Sequence, residues 1–367
     1  MIKHYRIRDY DFKLIILVVA LTVIGIMAIG SAKEDLQSKQ IAGFVLGFFL
    51  MLVLSLFDYS VILRFYWIMY AANVVLLVLV QQMGDSAGGA QRWLNIFGIR
   101  FQPSETAKIL LILFFAQLIM RHQEEMGSLR FIITCIVLLT VPLILIYKQP
   151  DMSTSIMVAI IFCVIMFVGG LHWKYVIMAL AIAIPTFIIL LAIILQPDQE
   201  LISPFQQGRI LGWLYPDKYA TTIAYQQLNS EMAIGSGQLY GKGYMSNEFS
   251  SVKNGNFISE LETDFIFAVI GEEFGFIGGC TTIVILILIA IECIMVARRA
   301  KDIAGSIIAA STAALIGFQG IMNIAVATGA MPNTGIPLPF VSAGLTSLVS
   351  SYIGIGFVLN VRLQCKK

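Results

Sequence analysis

Residues 261–275 read LETDFIFAVIGEEFG and hold four carboxyl groups, Glu262, Asp264, Glu272 and Glu273, at the edge of and inside a run that is otherwise hydrocarbon. A carboxylate at such a boundary is suited to proton transfer, because a semi-dry setting makes it a stronger base while nearby water exchanges its proton. Ionisable side chains inside an apolar span are by default functional groups with partners. A helix starting near Asp264 puts Gly271, Gly275 and Gly279 at intervals of four, a small-residue stripe suited to close helix contact, with Asp264 on roughly the same side. On that helix Glu272 and Glu273 lie about 12–14 Å further along the axis, at membrane depth. The spacing therefore separates the four: Glu262 in a loop, Asp264 at the water-facing lip, and the Glu pair buried. Asp264 is the one placed to exchange protons with water from a semi-dry cavity. For Glu272 and Glu273, bridging between helices is as strong a reading as a direct role.

Three more polar clusters could join it. In GGAQRWLNIFGIRFQPSETAKILL, Pro103 and Ser104 look like a helix start, and Glu105 and Lys108, at i and i+3, share a face and can pair. Taken alone, an interfacial ion pair with glutamate at the helix N-terminus explains them equally well. In KQPDMSTS, Asp151 follows Pro150, where turn or N-cap chemistry is the first expectation. The stretch 196–263 carries Arg209 and the glycine-rich GSGQLYGKG around Lys242, a weak match to a phosphate cradle because its spacing fits no P-loop.

The elements that must position these groups are membrane spans. The chain is 58% hydrophobic and 13% charged, far from the mix of a soluble domain. A formal charge of +2 gives no bulk attraction to nucleic acid or an acidic partner. With about 20 apolar residues per crossing, the runs at 12–31, 40–58, 61–81, 105–121, 131–148, 153–170, 175–195, 265–296, 305–328 and 343–362 predict ten helices. The first resembles a signal peptide ending in AIGSA but is read as a retained anchor. The fold class is thus an all-α polytopic membrane protein, a single domain over 1–367, with one long loop, 196–263, between helices seven and eight. An even number of spans puts both termini on one side. Lys3, Arg6, Arg8, Arg64, Arg121, Arg130, Lys174, Arg298, Arg299, Lys301, Arg362, Lys366 and Lys367 make that side cytoplasmic. His4, His122 and His172 then face the cytoplasm, so chemistry on the outer face must use carboxylates, lysine or tyrosine. The five cysteines have no metal-ligand spacing.

These motifs together resemble the SEDS family (shape, elongation, division and sporulation), with its RodA, FtsW and SpoVE branches. The resemblance rests on QRW at 91–93, FQPSETAK at 101–108, QPD at 149–151, AIGSG and GKG in the loop, TDFIFAVIGEEFG at 263–275 and TGIPLPFVS at 334–342. The AQRW and GIPLPFVS forms look closest to the RodA branch. Two departures stand out: SELETDF, with Ser259 and Glu262 where the family often has proline and histidine, and AGLTS at 343–347 where YGGSS is usual. A carboxylate added at Glu262 is expected to raise the pKa of Asp264.

The resemblance implies a peptidoglycan glycosyltransferase in the bacterial cytoplasmic membrane. It would polymerise lipid II onto a lipid-linked glycan at the outer face, beside a class B penicillin-binding protein as transpeptidase. It carries the family's essential aspartate onto Asp264 and other functional positions onto Trp93, Glu105, Lys108 and Asp151. Asp264 is assigned as general base for the acceptor C4 hydroxyl, with inversion. Lys108 held by Glu105, together with Arg209 or Lys242, would stabilise the departing undecaprenyl pyrophosphate. Asp151 would position the sugar or a divalent cation, and no metal site or other cofactor is assigned. The alternatives are a lipid II flippase gated by Glu272 and Glu273, and an inactive scaffold for the transpeptidase.

Overall fold

The computed structural model describes residues 10–87, 90–96, 99–196, 199, 202–246, 251–252, 255 and 257–365. Lys3, His4, Arg6, Arg8, Lys366 and Lys367, used above to orient the chain, lie outside the described residues.

Among the described residues nine helices are long and apolar enough to cross a membrane, and a tenth apolar helix has 17 residues. In order they are α1 (Phe12–Ala32), α2 (Glu34–Leu56), the pair α3 (Tyr59–Ile62) and α4 (Tyr66–Met83) joined by a 3₁₀ turn, α5 (Pro103–Arg121), α6 (Leu129–Lys148), α7 (Met152–Val168) and α8 (Trp173–Ile194). Two short helices, α9 (Pro204–Leu214) and α10 (Tyr225–Ser236), follow in the long loop, and then α11 (Ile266–Arg298), α12 (Ile303–Ala327) and α13 (Leu345–Leu363). The ten expected apolar runs each coincide with a helix or, for 61–81, the α3–α4 pair; nine of these are long enough to cross, and α7, at 17 residues, is shorter. Helical structure is the outcome hydrocarbon imposes, because a helix satisfies its backbone polar groups within itself. Arg362 Nε lies 3.8 Å from Asp11 Oδ2, which brings the two ends of the described chain to one end of the bundle.

α5, α12 and α13 form the buried centre; the apolar windows of the three are 83%, 67% and 72% buried, against 6% for α8 at the rim. α12 packs on α5, α7, α11 and α13, and α2 lies along α13. The stretch between α4 and α5, where the all-α expectation named no strand, forms an antiparallel meander of β1 (Asp85–Ala87), β2 (Ala90–Ile96) and β3 (Ile99–Phe101). Asp85 pairs with Trp93 and Leu94 with Phe101, so the sheet leads straight into Pro103 at the first turn of α5.

The largest difference from the sequence reading is in α11. Its 33 residues amount to about 50 Å of helix, well beyond the ~30 Å of a bilayer core. The helix breaks at Gly275, at φ 64° and ψ −162°. The glycine-rich loop fills the break: Phe276 N donates to Gln238 O (2.8 Å) and Ile277 N to Leu239 O (3.3 Å), while Lys242 N and Gly243 N donate to the carbonyls of Glu272 (2.9 Å) and Glu273 (3.1 Å). This is the repair that broken helices in membranes require. It also accounts for the glycines, because a Cβ on Gly241 would lie 2.1 Å from Glu273 O and one on Gly275 would lie 2.3 Å from Gly241 N. The segment after the break, 276–298, is long enough to cross alone. Glu272 and Glu273 therefore belong to the short helical segment before the break, tied to the loop, and Gly271 faces Ile234 of α10.

Candidate active site

Asp264 lies in the turn that precedes α11, partly exposed, with its N–H donating to Glu260 O at 3.2 Å. Two elements, α12 and the 338–343 turn, hold the backbone of residues 262–264. Asn323 of α12, 1% exposed, donates from Nδ2 to Asp264 O (2.9 Å) and to Ile336 O (2.7 Å). Ser342 Oγ donates to Thr263 O (2.6 Å) and accepts from Leu338 N (2.7 Å), and Ala343 N donates to Glu262 O (2.9 Å). The PLPF turn that carries Ser342 puts Phe340, buried, at φ 65°. A bulky residue takes up that conformation only where its surroundings enforce it, and such residues gather at functional sites.

The side chain is flanked by charges from separate parts of the chain. Burial pushes the Asp264 carboxyl up to about 6; Arg209 acts against this, Glu260 raises it further, Arg92 lowers it and Asp151 raises it. Gly335, at φ 71°, forms the floor, and a Cβ there would stand 3.4 Å from Asp264 Oδ2 and 3.7 Å from Arg209 Nη1. Arg209 reaches this point from α9, partly buried, and burial lowers its pKa while Asp264 opposes that shift and Arg92 adds to it. A guanidinium keeps its charge under such pressure where an ammonium would lose it.

Arg92 is the residue that sequence reasoning missed. Within QRW the tryptophan was selected, but strand alternation puts Arg92 and Trp93 on opposite faces of β2. Arg92 donates from Nε to Gln149 O (3.2 Å) and from Nη2 to Pro150 O, which fastens the sheet to the QPD corner. Trp93 is half-buried on the other face. Asp151 caps α7, accepting at Oδ1 from Thr154 N (3.2 Å) and at Oδ2 from Ser104 Oγ (3.3 Å). Its N-cap role is as expected, and the same carboxylate acts electrostatically on Asp264.

Glu105 and Lys108 pair at 2.8 Å with side chains only 5% and 3% exposed, which is well inside the bundle. Lys108 Nζ also donates to Gln319 Oε1 (3.0 Å), and Gln319 Nε2 donates to Pro337 O (2.9 Å), so the pair meets the Asp264 region through the 334–342 segment. Below it Lys108 borders a small apolar pocket with Leu111, Phe115, Leu139 and Phe162. Lys242 sits elsewhere, on Glu272 at 2.7 Å; Glu272 also accepts from Ser251 Oγ (3.3 Å) and Val252 N (3.1 Å). Glu273 accepts from Ser31 Oγ of α1. Glu262 turns onto Lys33 at 2.6 Å, and the carboxylate acting on Asp264 is Glu260, two residues earlier. The expected push from Glu262 is thus met by a cation.

The arrangement is a raised carboxylate at the loop end of the bundle, faced by two arginines. The family model described as "Cell cycle protein", for FtsW, RodA and SpoVE, matches residues 10–367. The chain belongs to this family. Relatives of both kinds match over nearly their whole length. A probable peptidoglycan glycosyltransferase FtsW of Geobacter sulfurreducens is 30% identical over 98% of this chain and 97% of its own. The peptidoglycan glycosyltransferase MrdB of Escherichia coli is 32% identical over 97% and 94%. Among solved structures, RodA of Thermus thermophilus superposes with a TM-score of 0.70 at 25% identity, covering 96% of each chain. A chain from a peptidoglycan synthase complex, solved for its coordination of polymerization and crosslinking, superposes at 0.76 with 26% identity, covering 96% and 97%.

Proposed function

We propose that this chain is a peptidoglycan glycosyltransferase that polymerises lipid II at the outer face of the bacterial cytoplasmic membrane. Membership of the FtsW/RodA/SpoVE family and the activity named for its relatives support the enzyme class. The orientation rests on the basic residues at the terminal end, Arg64, Arg121, Arg130, Lys174, Arg298, Arg299, Lys301 and Arg362, which put the loop end outside. The observation that carries the mechanism is the place of Asp264, partly exposed in the turn before α11 and across Gly335 from Arg209, where burial raises its carboxyl to about 6.

A carboxylate with that pKa is mostly ionised at neutral pH and is still a stronger base than an ordinary aspartate, which suits proton abstraction. As the C4 hydroxyl of the acceptor sugar attacks the anomeric carbon of the donor glycan, its proton passes to Asp264. The new glycosidic C–O bond forms, the bond from the anomeric carbon to the pyrophosphate oxygen breaks, and its electron pair leaves with undecaprenyl pyrophosphate. Back-side displacement by one base inverts the anomeric centre. The pyrophosphate departs as an anion and needs cations, not an acid; Arg209 and Arg92 are nearest to the base, with Lys108 deeper in the bundle. Asp151 is assigned to sugar positioning, and Trp93, on the face of β2 away from Arg92, is assigned no contact with the base. Lys242 serves the site through the loop that it fastens to Glu272. A class B penicillin-binding protein is the transpeptidase partner.

The flippase alternative relies on Glu272 and Glu273 as gates, and their partners in the loop and in α1 argue for anchoring instead. The test is in-vitro polymerisation by the purified chain with its partner, using lipid II supplied directly on the outer side. Glycan formed by the parent and lost in Asp264→Asn supports the reading; undiminished turnover in Asp264→Asn removes it.

A further inference from the structure

The segment that carries Asp264 is held by backbone contacts from α12 and from the 338–343 turn, and by a third contact of another kind. The corner between α1 and α2 reaches it with two side chains. Lys33 Nζ closes on Glu262 Oε1 at 2.6 Å, two residues before Asp264, and Ser31 Oγ donates to Glu273, nine residues after it. Lys33 is the residue where the chain turns from one helix to the next, at φ −158° and ψ 95°, with its own N–H donating to Ile29 O at 2.8 Å. Its side chain is 53% exposed, whereas Glu262 is 12% exposed. As a source of stability such a pair is worth little, because solvent screens the lysine and its ordering costs entropy.

Its value is electrostatic. Asp264 faces Arg209 from α9, Arg92 from β2, Asp151 from the start of α7, and Glu260 on its own segment. Glu262 lies two residues before Asp264 on the same segment, and Thr263 Oγ1 donates to Glu260 Oε2 at 3.2 Å. Lys33 is set against both: Glu262 is its hydrogen-bonded partner, and Glu260 also acts on it. One cation therefore opposes the acidic pair beside the base.

We propose that Lys33 is a positioning residue for the reaction, screening Asp264 from the carboxylates of Glu260 and Glu262 and tying the α1–α2 corner to the segment that bears the base. This rests on the reading of Asp264 as general base. Removing Lys33 leaves the acids unopposed and makes Asp264 harder to ionise; removing Glu262 leaves Lys33 unopposed and makes it easier.

The experiment is the pH–rate profile of lipid II polymerisation by full-length chain and partner, for the parent, Lys33→Met, Lys33→Arg, Glu262→Gln and the Lys33→Met/Glu262→Gln double variant. The acid limb is expected to move up by about half a pH unit in Lys33→Met, to stay in place in Lys33→Arg, to move down in Glu262→Gln, and to return close to the parent in the double variant. A purely structural pair would change thermal stability and leave the limb where it is. An unmoved limb in Lys33→Met, with the parent's limb present, overturns the inference and leaves Asp264 as base untouched. Retained turnover in Asp264→Asn overturns both.

Discussion

Replacing Asp264 by asparagine should remove activity and, at neutral pH, stabilise the protein. The carboxyl is raised from 3.8 to about 6, chiefly by burial. For an acid, a folded-state pKa above the unfolded value means that the folded protein holds the proton more tightly. Its contribution is therefore harmless below about pH 4 and becomes a cost as pH rises through 6. Two units correspond to at most ~3 kcal/mol at neutral pH, since each is worth about 1.4 kcal/mol. Partial exposure of the side chain lowers that figure, while the opposing charge of Arg209 is already contained in it. A net gain of about 1–2 kcal/mol is expected above pH 6.5, shrinking to near zero at pH 4. Turnover should fall by about 10²- to 10⁴-fold, the usual worth of a general base. Thermal unfolding in detergent from pH 4 to 8, with polymerisation measured on the same preparations, reads both quantities. An Asn variant that keeps its turnover, or whose stability advantage does not change with pH, would refute the assignment of a strained catalytic base.

Other outcomes follow from the same geometry. Polymerisation by the parent should rise with pH through a single acid limb near 6, and a flat profile between pH 5 and 7 would count against Asp264 as proton acceptor. Glu272→Ala removes the carboxylate that accepts from Lys242, Ser251 and Val252 and should cost about 1–3 kcal/mol, with hydrogen exchange rising in residues 237–246 as the check. Exchanging Glu105 and Lys108 for each other should restore folding, read by thermal unfolding, but not polymerisation; full recovery would mark a plain ion pair. Gly335→Ala sets a methyl between Asp264 and Arg209 at a φ that disfavours side chains, at a cost of about 1 kcal/mol. It should lower kcat at least tenfold, and unchanged kcat would place the reaction away from that floor.

Hydropathy alone was enough to place the apolar helices, because a bilayer demands that every span be apolar for a set length and hydrogen-bonded within itself. The lip position of Asp264 was legible for the same reason: its place at the end of an apolar run is a one-dimensional fact. The Asp151 cap and the Glu105–Lys108 pair were legible because their partners are three residues away. The fates of the other three carboxyls were not. Continuous apolar character in 265–296 hides a break at Gly275 that only the docked loop makes affordable, so Glu272 found Lys242, 30 residues earlier, and Glu273 found Ser31, 242 residues earlier. Arg92 was passed over because its neighbour Trp93 is the more conspicuous residue and because its partners lie 57 and 58 residues away, across a sheet that the all-α expectation did not name. Local rules fix what a residue can do with the chain beside it. Which charges surround a carboxylate is decided by packing between distant segments, and here that packing set the two arginines against Asp264 and Lys33 against its acidic neighbours.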